Sequence, residues 1–332
     1  MRVTARLTTA RLAIAALALA VAGSVAGCGS AAPGLAYAGD AARSGSPAAS
    51  ATATASPTVP GQTAPATPGI VVTGAPRGVK AKAGILADAS TAQVLWAKDA
   101  TMTRPIASIT KVMTALLVIR AGGLNRKVTI PKAVLGYVAK YGANSAGLVP
   151  GQQLTVSDLL HALLLVSACD AAYVLATTYG PGIGAFIAKM NATAAQLGLT
   201  HTRFSSPDGL PYPTEFSTYS TPAELLKLGE VAMRLPAFRS IVNERFYSIP
   251  KGAGHGHYWW GNSNELIGFY PGAVGIKTGY TVAAGHCLLF EVVRGGRTLI
   301  GVVLGSPPTG PGAGAQDAAK ILNWGFSLKK SP

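Results

Sequence analysis

The 332-residue chain is 49% hydrophobic and only 12% charged, with a mean hydropathy of +0.34. Soluble domains carry about 25% charged residues, so this composition at first resembles that of a membrane protein. One apolar run, residues 12–26, approaches the length of a membrane span, but it is shorter than the roughly 20 residues that a bilayer crossing needs. The numbers therefore exclude a multi-span membrane protein, and the high apolar content excludes disorder along the whole length.

The net charge is +15, from 28 Lys and Arg against 13 Asp and Glu. Such an excess suits nucleic acid, an anionic membrane surface or an acidic polymer as a neighbour. The basic residues are scattered singly, with no cluster longer than Lys329-Lys330, so we expect no nucleic-acid partner. The three cysteines are too few for a disulfide scaffold and are not spaced as zinc ligands. We expect no metal and no cofactor.

Residues 1–27 have the organisation of a secretory signal peptide, in which a charged start, a short apolar middle and small residues follow one another. Their end, Val-Ala-Gly followed by Cys28, resembles the lipobox of bacterial lipoproteins. That resemblance implies cleavage before Cys28, a lipid on its sulfur, and an exported protein anchored to the outer face of the cytoplasmic membrane. The alternative is a secreted protein whose cysteine falls there by coincidence. Removing the three arginines of residues 1–27 from +15 leaves a mature charge of +12.

Residues 28–76 consist almost entirely of Ala, Gly, Ser, Thr and Pro. Without large apolar side chains, nothing offsets the entropy lost when the backbone is ordered. We therefore predict a disordered linker after Cys28, with the folded domain over residues 77–332.

Within that domain, residues 83–98 contain two apolar runs around Asp-Ala-Ser-Thr, which predicts a strand, a turn and a strand. Residues 107–121 have apolar side chains near helical spacing, which predicts a helix with Ser108 in its first turn. Further helical patterns cover residues 156–166, 171–179, 184–197 and 221–233.

The last quarter of the chain changes character. Residues 272–278, 286–293 and 297–304 alternate or run apolar between turn signals, which predicts antiparallel strands. A final amphipathic helix is predicted over residues 316–326. The order of elements predicts an α/β (α+β) fold, in which an antiparallel sheet built from both ends of the domain is flanked by helices and carries an inserted all-helical lobe.

Three short motifs carry the chemistry. In the first, Ser108-Ile-Thr-Lys111, the serine and lysine share a helix face, so the amine can activate the hydroxyl as a nucleophile if its pKa is lowered. A helix N-terminus also offers free N–H groups to a developing oxyanion. Alone the motif is weak, because Ser-x-x-Lys occurs roughly once by chance in a chain of this length.

The second motif, Ser167-Ala-Cys169-Asp, lies between two helical patterns, and the third, Lys277-Thr278-Gly, lies on a predicted strand. A second lysine could keep the first neutral by like-charge repulsion, and a strand could bind an extended peptide by strand addition. Taken singly, Ser167 could equally be a helix cap and Lys277 a solvated charge. The order and spacing of all three favour a shared site.

The trio resembles the penicillin-recognising serine enzymes, whose pattern is Ser-x-x-Lys, Ser-x-Asn and Lys-Thr-Gly. Within them it resembles the low-molecular-mass D-alanyl-D-alanine carboxypeptidase family, in a single-domain lipoprotein form like that of actinobacteria. The surrounding sequences support this: PIASITKVMTALLVI, LLLVSACDAAYVLA, SSPDGLP and NSNELIGFYPGAVGIKTGYT. The resemblance covers about residues 82–326 and implies the β-lactamase/transpeptidase-like fold.

The resemblance implies a role for each motif residue. Ser108 would be the acylated nucleophile, Lys111 its general base and Ser167 a proton relay to the leaving amine. Substrate binding is implied for Cys169, Lys277, Thr278, Gly279 and Tyr280, with the Ser108 and Tyr280 N–H groups as the oxyanion hole. The implied substrate is a peptidoglycan stem peptide ending in D-Ala-D-Ala, and β-lactams would acylate Ser108 as mimics.

Two departures from the family stand out. Cys169 replaces an asparagine, and a thiol makes weaker hydrogen bonds than an amide. The loop SPPTGPGAGAQDAAK, residues 306–320, lacks the arginine that often binds the terminal carboxylate of the substrate in this family. Either another cation binds that carboxylate or its recognition is weakened. Cys169 and Cys287 could form a disulfide in an exported protein, or remain free buried thiols.

Several alternatives stay open at this stage. They are a DD-transpeptidase, a β-lactamase and a non-catalytic wall-binding lipoprotein, although the Glu-x-x-Leu-Asn loop of class A β-lactamases is absent from the sequence. His255 and His257 could bind a metal as a pair, but the glycine-rich sequence around them favours an exposed loop. Trp259 and Trp260 could line a sugar-binding rim or pack as an edge. The chain ends about 50 residues after Gly279, which predicts anchoring through Cys28 instead of a C-terminal domain.

Overall fold

The computed structural model describes residues 70–308, 310 and 312–329. The predicted signal peptide, Cys28 and most of the predicted linker lie outside the described residues. The last linker residues contact the domain: Ile70 is buried and its N–H donates to Gln93 Oε1 at 2.7 Å, while the Val71 N–H donates to the Lys329 carbonyl. The chain thus joins the domain before residue 77, because one isoleucine fills a tertiary pocket that no sequence periodicity predicts.

Eleven strands and eight helices make up the described domain. The strands are β1 (Ala83–Asp88), β2 (Gln93–Lys98), β3 (Arg104–Pro105), β4 (Lys127–Thr129), β5 (Gln153–Thr155), β6 (Tyr219–Ser220), β7 (Phe246–Ile249), β8 (Tyr258–Gly261), β9 (Ala273–Thr281), β10 (Gly285–Arg294) and β11 (Arg297–Ser306). The helices are α1 (Lys111–Ala121), α2 (Ala133–Tyr141), α3 (Val156–Leu164), α4 (Cys169–Tyr179), α5 (Ile183–Gln196), α6 (Pro222–Met233), α7 (Pro236–Asn243) and α8 (Ala313–Ser327).

A five-stranded antiparallel sheet in the order β2-β1-β11-β10-β9 forms the centre of the domain. Ile85 of β1 pairs with Val302 of β11, and Leu289 of β10 lies between Val302 and Lys277 of β9. Strands from the two ends of the domain therefore lie side by side in one sheet and join where β1 pairs with β11, which confirms the predicted architecture. A buried ion pair between Asp88 and Arg297, 2.9 Å apart, joins the first hairpin to the start of β11.

The sheet is covered on both faces, which explains why β1 and β11 are buried along almost their whole length. Helix α8 packs on one face, where Ile321 and Leu322 join Phe290 and Leu299 in one core cluster. The other face packs against α1, α6 and their neighbours in the larger core cluster, which includes Met113 and Leu289. The lobe between β2 and β9 is thus anchored on the sheet.

The inserted lobe contains the predicted helices, with α1, α3, α4, α5 and α6 near their expected positions. It also contains three two-stranded ribbons, β3–β6, β4–β5 and β7–β8, so it is not wholly helical. Helices α2 and α7 were not predicted, because α2 buries only Val134 and α7 is two turns long. No single helix in the described ranges has the length and apolarity of a membrane span. Helices α4 and α5 together are long and apolar enough, but the angle between them is 87°.

Candidate active site

Ser108 and Lys111 meet where the chain enters the lobe. A 3-10 turn, Ala107–Thr110, follows β3 and runs directly into α1, whose first residue is Lys111. Lys111 Nζ lies 2.9 Å from Ser108 Oγ. The i, i+3 spacing places both side chains on one face of the turn, as predicted from the sequence.

Lys111 is fully buried, and backbone and thiol groups surround its amine. Nζ lies 2.9 Å from the carbonyl oxygen of Asp208 and 3.5 Å from Cys169 Sγ. The Thr114 hydroxyl, one turn further along α1, donates to the Pro207 carbonyl at 2.5 Å. The SSPDGLP segment therefore forms the wall that orients Lys111 toward Ser108.

Asp208 turns its carbonyl, not its carboxylate, toward the lysine. The buried carboxylate accepts hydrogen bonds from the Tyr137 hydroxyl at 2.7 Å and from the Leu210 N–H at 3.1 Å. Burial raises the pKa of Tyr137, and the negative charge of Asp208 adds to that effect. Tyr137 therefore stays a neutral donor, and the Asp208 carboxylate is fully engaged in holding the wall.

Ser167 lies in the turn between α3 and α4 and faces the same cavity as Ser108. Its φ of +62° is in the left-handed region, which costs a non-glycine residue about 1 kcal/mol. The turn is held from outside: the Cys169 N–H donates to the Asn144 carbonyl at 2.8 Å, and Asn144 Nδ2 donates to the Val166 carbonyl. Ser167 is not the cap of α4, since Ala168 occupies that position.

Asp170, next to the second motif, fixes the loop that carries Asn144. Its buried carboxylate accepts hydrogen bonds from the backbone N–H groups of Ala146 at 3.0 Å and Leu148 at 3.2 Å. The Ser145 hydroxyl donates to the same group at 2.5 Å. This carboxylate therefore joins the 144–148 loop to the first turn of α4.

Cys169 is buried beneath the cavity and does not line it. Burial raises the pKa of its thiol to about 11, while the positive charge of Lys111 opposes the rise. Cys287, on β10, has a free buried thiol whose pKa is likewise raised by burial, to about 11. Both cysteines are free in this structure.

Strand β9 forms one edge of the described sheet and passes directly over the nucleophile turn. A Cβ at Gly279 would lie 2.9 Å from the Ile106 carbonyl oxygen and 3.1 Å from the Ser108 nitrogen. Only a glycine permits this close approach of β9 to the Ser108 turn. The third motif therefore requires a glycine at position 279 for steric reasons.

Lys277 is fully buried, so it is not the solvated strand charge that the sequence left open. Its ammonium donates to the Thr278 carbonyl at 3.0 Å. Burial lowers its pKa well below the ordinary lysine value, and the positive charge of Lys111 lowers it further. A positive charge on the buried Lys277 is therefore disfavoured beside Lys111.

A cavity of about 390 Å³ connects the motifs. Among its lining residues are the predicted Ser108, Ser167, Thr278, Gly279 and Tyr280, whereas Cys169, Lys111 and Lys277 lie behind the lining. The sequence analysis missed Asn144, Ser263, Glu265, His286 and Gly312. Four of these residues lie on loops, where the sequence has no periodicity that could indicate a site. Only Ser263 and Glu265 could have been found, because they lie close in sequence to the third motif.

The remaining candidates lie elsewhere. His255 Nδ1 is 2.9 Å from the Gly256 carbonyl and His257 Nε2 is 3.4 Å from Ser248 Oγ. Within the described residues no cluster of three or more His, Cys, Asp or Glu side chains could hold a metal. Trp260 is buried, and its indole N–H donates to the Ala146 carbonyl. Trp259 is exposed and stacks on Phe246.

A family model described as D-alanyl-D-alanine carboxypeptidase matches residues 70–308. The D-alanyl-D-alanine carboxypeptidase of Streptomyces sp. strain K15 is 40% identical over 262 residues, covering 75% of this chain and 88% of that protein. D-alanyl-D-alanine carboxypeptidase DacB2 of Mycobacterium tuberculosis is 38% identical, covering 75% and 83%. The crystal structure of the Streptomyces K15 DD-transpeptidase superposes with a TM-score of 0.72 at 39% identity, covering 77% of this chain and all of that one.

Proposed function

Because the chain belongs to the D-alanyl-D-alanine carboxypeptidase family of serine peptidases, we propose that it removes the terminal D-Ala from peptidoglycan stem peptides through an acyl-enzyme on Ser108. The observation that carries this assignment is the 2.9 Å approach of a fully buried Lys111 amine to the Ser108 hydroxyl. A buried amine beside a hydroxyl is the arrangement that activates a serine without a histidine.

In the first step Lys111 takes the proton of Ser108 Oγ, and Oγ bonds to the carbonyl carbon of the penultimate D-Ala. Lys111 is positioned for this transfer by its 2.9 Å contact with Ser108 Oγ and by the Asp208 carbonyl, which lies 2.9 Å from its amine. The C–N bond then breaks, and the leaving amine receives its proton through Ser167. Water attacks the ester, releases the shortened peptide and returns the proton to Ser108.

The oxyanion of the tetrahedral intermediate would bind between two backbone N–H groups. Ser108 belongs to the first turn of a helical segment, whose N–H groups have no intrahelical acceptor. Tyr280 lies on β9, beside the close contact that Gly279 permits. Preorganised donors at such a site contribute about 10²–10³ in rate.

Thr278 is proposed to hold the substrate carboxylate through its hydroxyl, which already lies 2.9 Å from Ser263 Oγ. Cys169 supports the proton transfer indirectly, because its thiol contacts Lys111 and does not line the cavity. A neutral thiol, kept protonated by its raised pKa, stabilises the lysine charge less than an amide oxygen would.

β-Lactams are proposed to acylate Ser108 and to leave slowly. Class A β-lactamases activate the hydrolytic water with the glutamate of a Glu-x-x-Leu-Asn loop, which this sequence lacks, and the Asp208 carboxylate behind Lys111 is occupied by Tyr137 and the Leu210 N–H. This argues against the β-lactamase alternative. Fast turnover of penicillin by the purified protein would contradict the proposal.

Peptidoglycan is extracytoplasmic, and the reaction therefore takes place outside the cytoplasm. We propose that the chain is exported by residues 1–27 and anchored by a lipid on Cys28, with residues 28–69 as a tether. The C28A variant should move from the membrane fraction to the medium, and its mass should lack the diacylglyceryl modification. A wild-type protein without that modification would refute the anchor.

The decisive test of the enzyme activity uses the full chain and a diacetylated Lys-D-Ala-D-Ala peptide. Wild-type protein should release free D-Ala and form a penicillin adduct on Ser108, and S108A should do neither. The matched control is S90A, because Ser90 lies in the β1–β2 turn, hydrogen-bonds to Asp88 and does not line the cavity. An adduct that persists in S108A would overturn the assignment of the nucleophile.

Transpeptidation is a second candidate, favoured by the 39% identity to a structure named a DD-transpeptidase. Adding glycine amide as an acceptor to the same reaction distinguishes the two outcomes. A new amide product supports transpeptidation, whereas release of D-Ala alone supports hydrolysis. A protein that gives neither product nor adduct would be the non-catalytic wall-binding form.

A further inference from the structure

The proposed substrate ends in a free carboxylate, and residues 306–320 provide no arginine to bind it. None of the described residues that line the cavity is a lysine or an arginine. The amines of Lys111 and Lys277 are buried behind the lining. His286, on β10, is the one described lining residue whose side chain can acquire a positive charge.

The pairing of β9 with β10 places His286 on the same face of the sheet as Thr278, the residue proposed to hold the substrate carboxylate. His286 pairs directly with Tyr280, and Leu288 pairs with Thr278. Paired residues share a face, as do alternate residues along a strand, so His286 and Thr278 are diagonal neighbours. Such neighbours lie about 7–8 Å apart. One carboxylate with a hydrogen bond of about 2.8 Å on each side spans that distance.

The His286 ring is held at the cavity by its cross-strand neighbour. It is half-buried and packs against the Tyr280 ring, with centroids 4.6 Å apart and planes inclined by 38°. Within residues 70–308, 310 and 312–329, its ring nitrogens make no hydrogen bond and no ion pair. The contact with Tyr280 therefore orients the ring, and a ring N–H can donate to a ligand in the cavity.

We propose that His286 is a specificity-determining residue, which binds the terminal carboxylate of the departing D-Ala together with the Thr278 hydroxyl. The ligand class is a peptide whose last residue has a free carboxylate. A neutral imidazole donates one N–H to that group, and a protonated imidazole donates a charge-assisted hydrogen bond, which is roughly twice as strong. His286 thus supplies the cation that residues 306–320 lack. The proposal rests on the proposed acyl-enzyme function and deepens it.

Other ionisable groups lie near the imidazole. Glu265, in the loop between β8 and β9, and Tyr280, on β9, line the same cavity. The Cys287 thiol is buried next to it in sequence, and the Arg104 guanidinium lies beside the end of β11. The adjoining start of α8, residues 312–315, has no ionisable side chain. Effects of these groups on acylation itself cancel when two peptides with the same scissile bond are compared.

The test compares diacetylated Lys-D-Ala-D-Ala with the same peptide ending in a carboxamide. Full-length wild-type protein and H286F, which keeps a ring against Tyr280, are assayed for kcat/KM by release of D-Ala or D-Ala amide. H286F should lower the acid-to-amide ratio about tenfold, through the acid peptide, because a hydrogen bond to a charged group is lost. H286R should keep the ratio at or above that of wild type, since a guanidinium is always charged. H257F is the matched control, since His257 is exposed and does not line the cavity.

The pH profile provides a second readout that a merely structural role would not change. The wild-type ratio should rise about threefold or more from pH 8.0 to pH 5.5, because histidines gain charge in this range while a terminal carboxylate stays ionised. The ratio should be constant in H286F and H286R, and E265Q should keep the wild-type rise.

Three results would overturn the role of His286 and leave the proposed function intact, provided that S108A abolishes turnover. They are an unchanged ratio in H286F, a constant wild-type ratio across the pH range, and loss of the pH-dependent rise in E265Q. Absence of turnover of both peptides by wild-type protein overturns both proposals.

Discussion

The two ends of the cavity are built in opposite ways. At the floor, Lys111 and Lys277 are fully buried, and β9 approaches the Ser108 turn so closely that only a glycine fits. At the wall, the carboxylate of Glu265 belongs to an exposed residue and lies beside Gly312, at the start of α8. The floor is determined by rigid backbone contacts, whereas the wall is formed by the flexible end of a side chain.

The difference shows where this active site can vary. A change at the floor alters the position of the nucleophile or the protonation of its base, and neither can relax because backbone atoms surround them. A change at the wall should leave the chemistry in place, because the end of a flexible side chain can move aside. Four predictions test this contrast, ordered from the largest expected effect to the smallest.

Replacing the base should have the largest effect. K111A removes the group that takes the Ser108 proton, and general-base catalysis contributes about 10²–10⁴ in rate. We expect the second-order rate of acylation by penicillin to fall about 10³-fold, measured by mass spectrometry of the adduct. K140A, a change of an exposed lysine on α2, is the matched control. Acylation within tenfold of wild type would show that Lys111 is not the base.

The next largest effect should come from adding one methyl group to β9. G279A places a Cβ against the Ile106 carbonyl and the Ser108 nitrogen, at 2.9 and 3.1 Å, so strand or turn must shift. Misplacement of a nucleophile by a fraction of an ångström to 1 Å costs about 10²-fold in rate, and acylation should fall accordingly. G136A, with open space around an α2 glycine, should keep the full rate. Equal rates in both variants would contradict the close-contact account.

The third prediction concerns the pH dependence of stability. The pKa of Lys277 is lowered in the folded protein by burial and by Lys111. Between that lowered pKa and 10.5 the unfolded chain binds more protons, so the free energy of unfolding rises with pH, by at most about 1.4 kcal/mol per pH unit. K277M should abolish this rise, as measured by urea unfolding at pH 6.5, 7.5 and 8.5.

The pH range is chosen to exclude the cysteines. Burial raises the pKa values of Cys169 and Cys287 to about 11 from an ordinary 9.0. The two thiols therefore change the free energy of unfolding with pH only above about pH 9, where they lower it. K251M, a change of an exposed lysine, is the control and should leave the wild-type slope unchanged. A K277M slope equal to that of wild type would refute the prediction.

The smallest effect is expected at the wall. G312A forces a left-handed φ of +70° on an alanine, at a cost of about 1 kcal/mol, and requires the Glu265 carboxylate to swing away. Because that carboxylate is the end of a flexible side chain, acylation of Ser108 should stay within about threefold of wild type. Thermal unfolding and adduct formation measure the two effects. A loss of acylation as large as that of G279A would contradict the claim that the wall tolerates changes that the floor does not.

Much of the fold could be predicted, because the apolar periodicity within each segment indicates its secondary structure. The strands of the sheet and helices α1, α3, α4, α5, α6 and α8 bury regular apolar faces, and their patterns are visible within each segment. Helices α2 and α7 and the short ribbons escaped prediction, because few of their residues are buried and their stability comes from neighbouring elements. Residues 70–73 escaped it for the same reason.

The motif residues were predictable, since Ser108 and Lys111 are neighbours on one helical face and the order of the motifs points to the family. Their surroundings were not predictable. The carbonyl that holds Lys111 belongs to a residue 97 positions later, and Asn144 supports Ser167 from another loop. The sequence placed Cys169 among the substrate-binding residues, whereas the structure places its thiol under the cavity, against Lys111.

The sequence by itself determined the chemistry of the nucleophile, the antiparallel sheet and the absence of an arginine from residues 306–320, because residue identity and short spacings carry that information. Only the tertiary structure decided that Lys277 is buried instead of solvated, and that Glu265 lies beside Gly312. Burial and charge environment depend on contacts between segments far apart in the chain, and no local pattern records them.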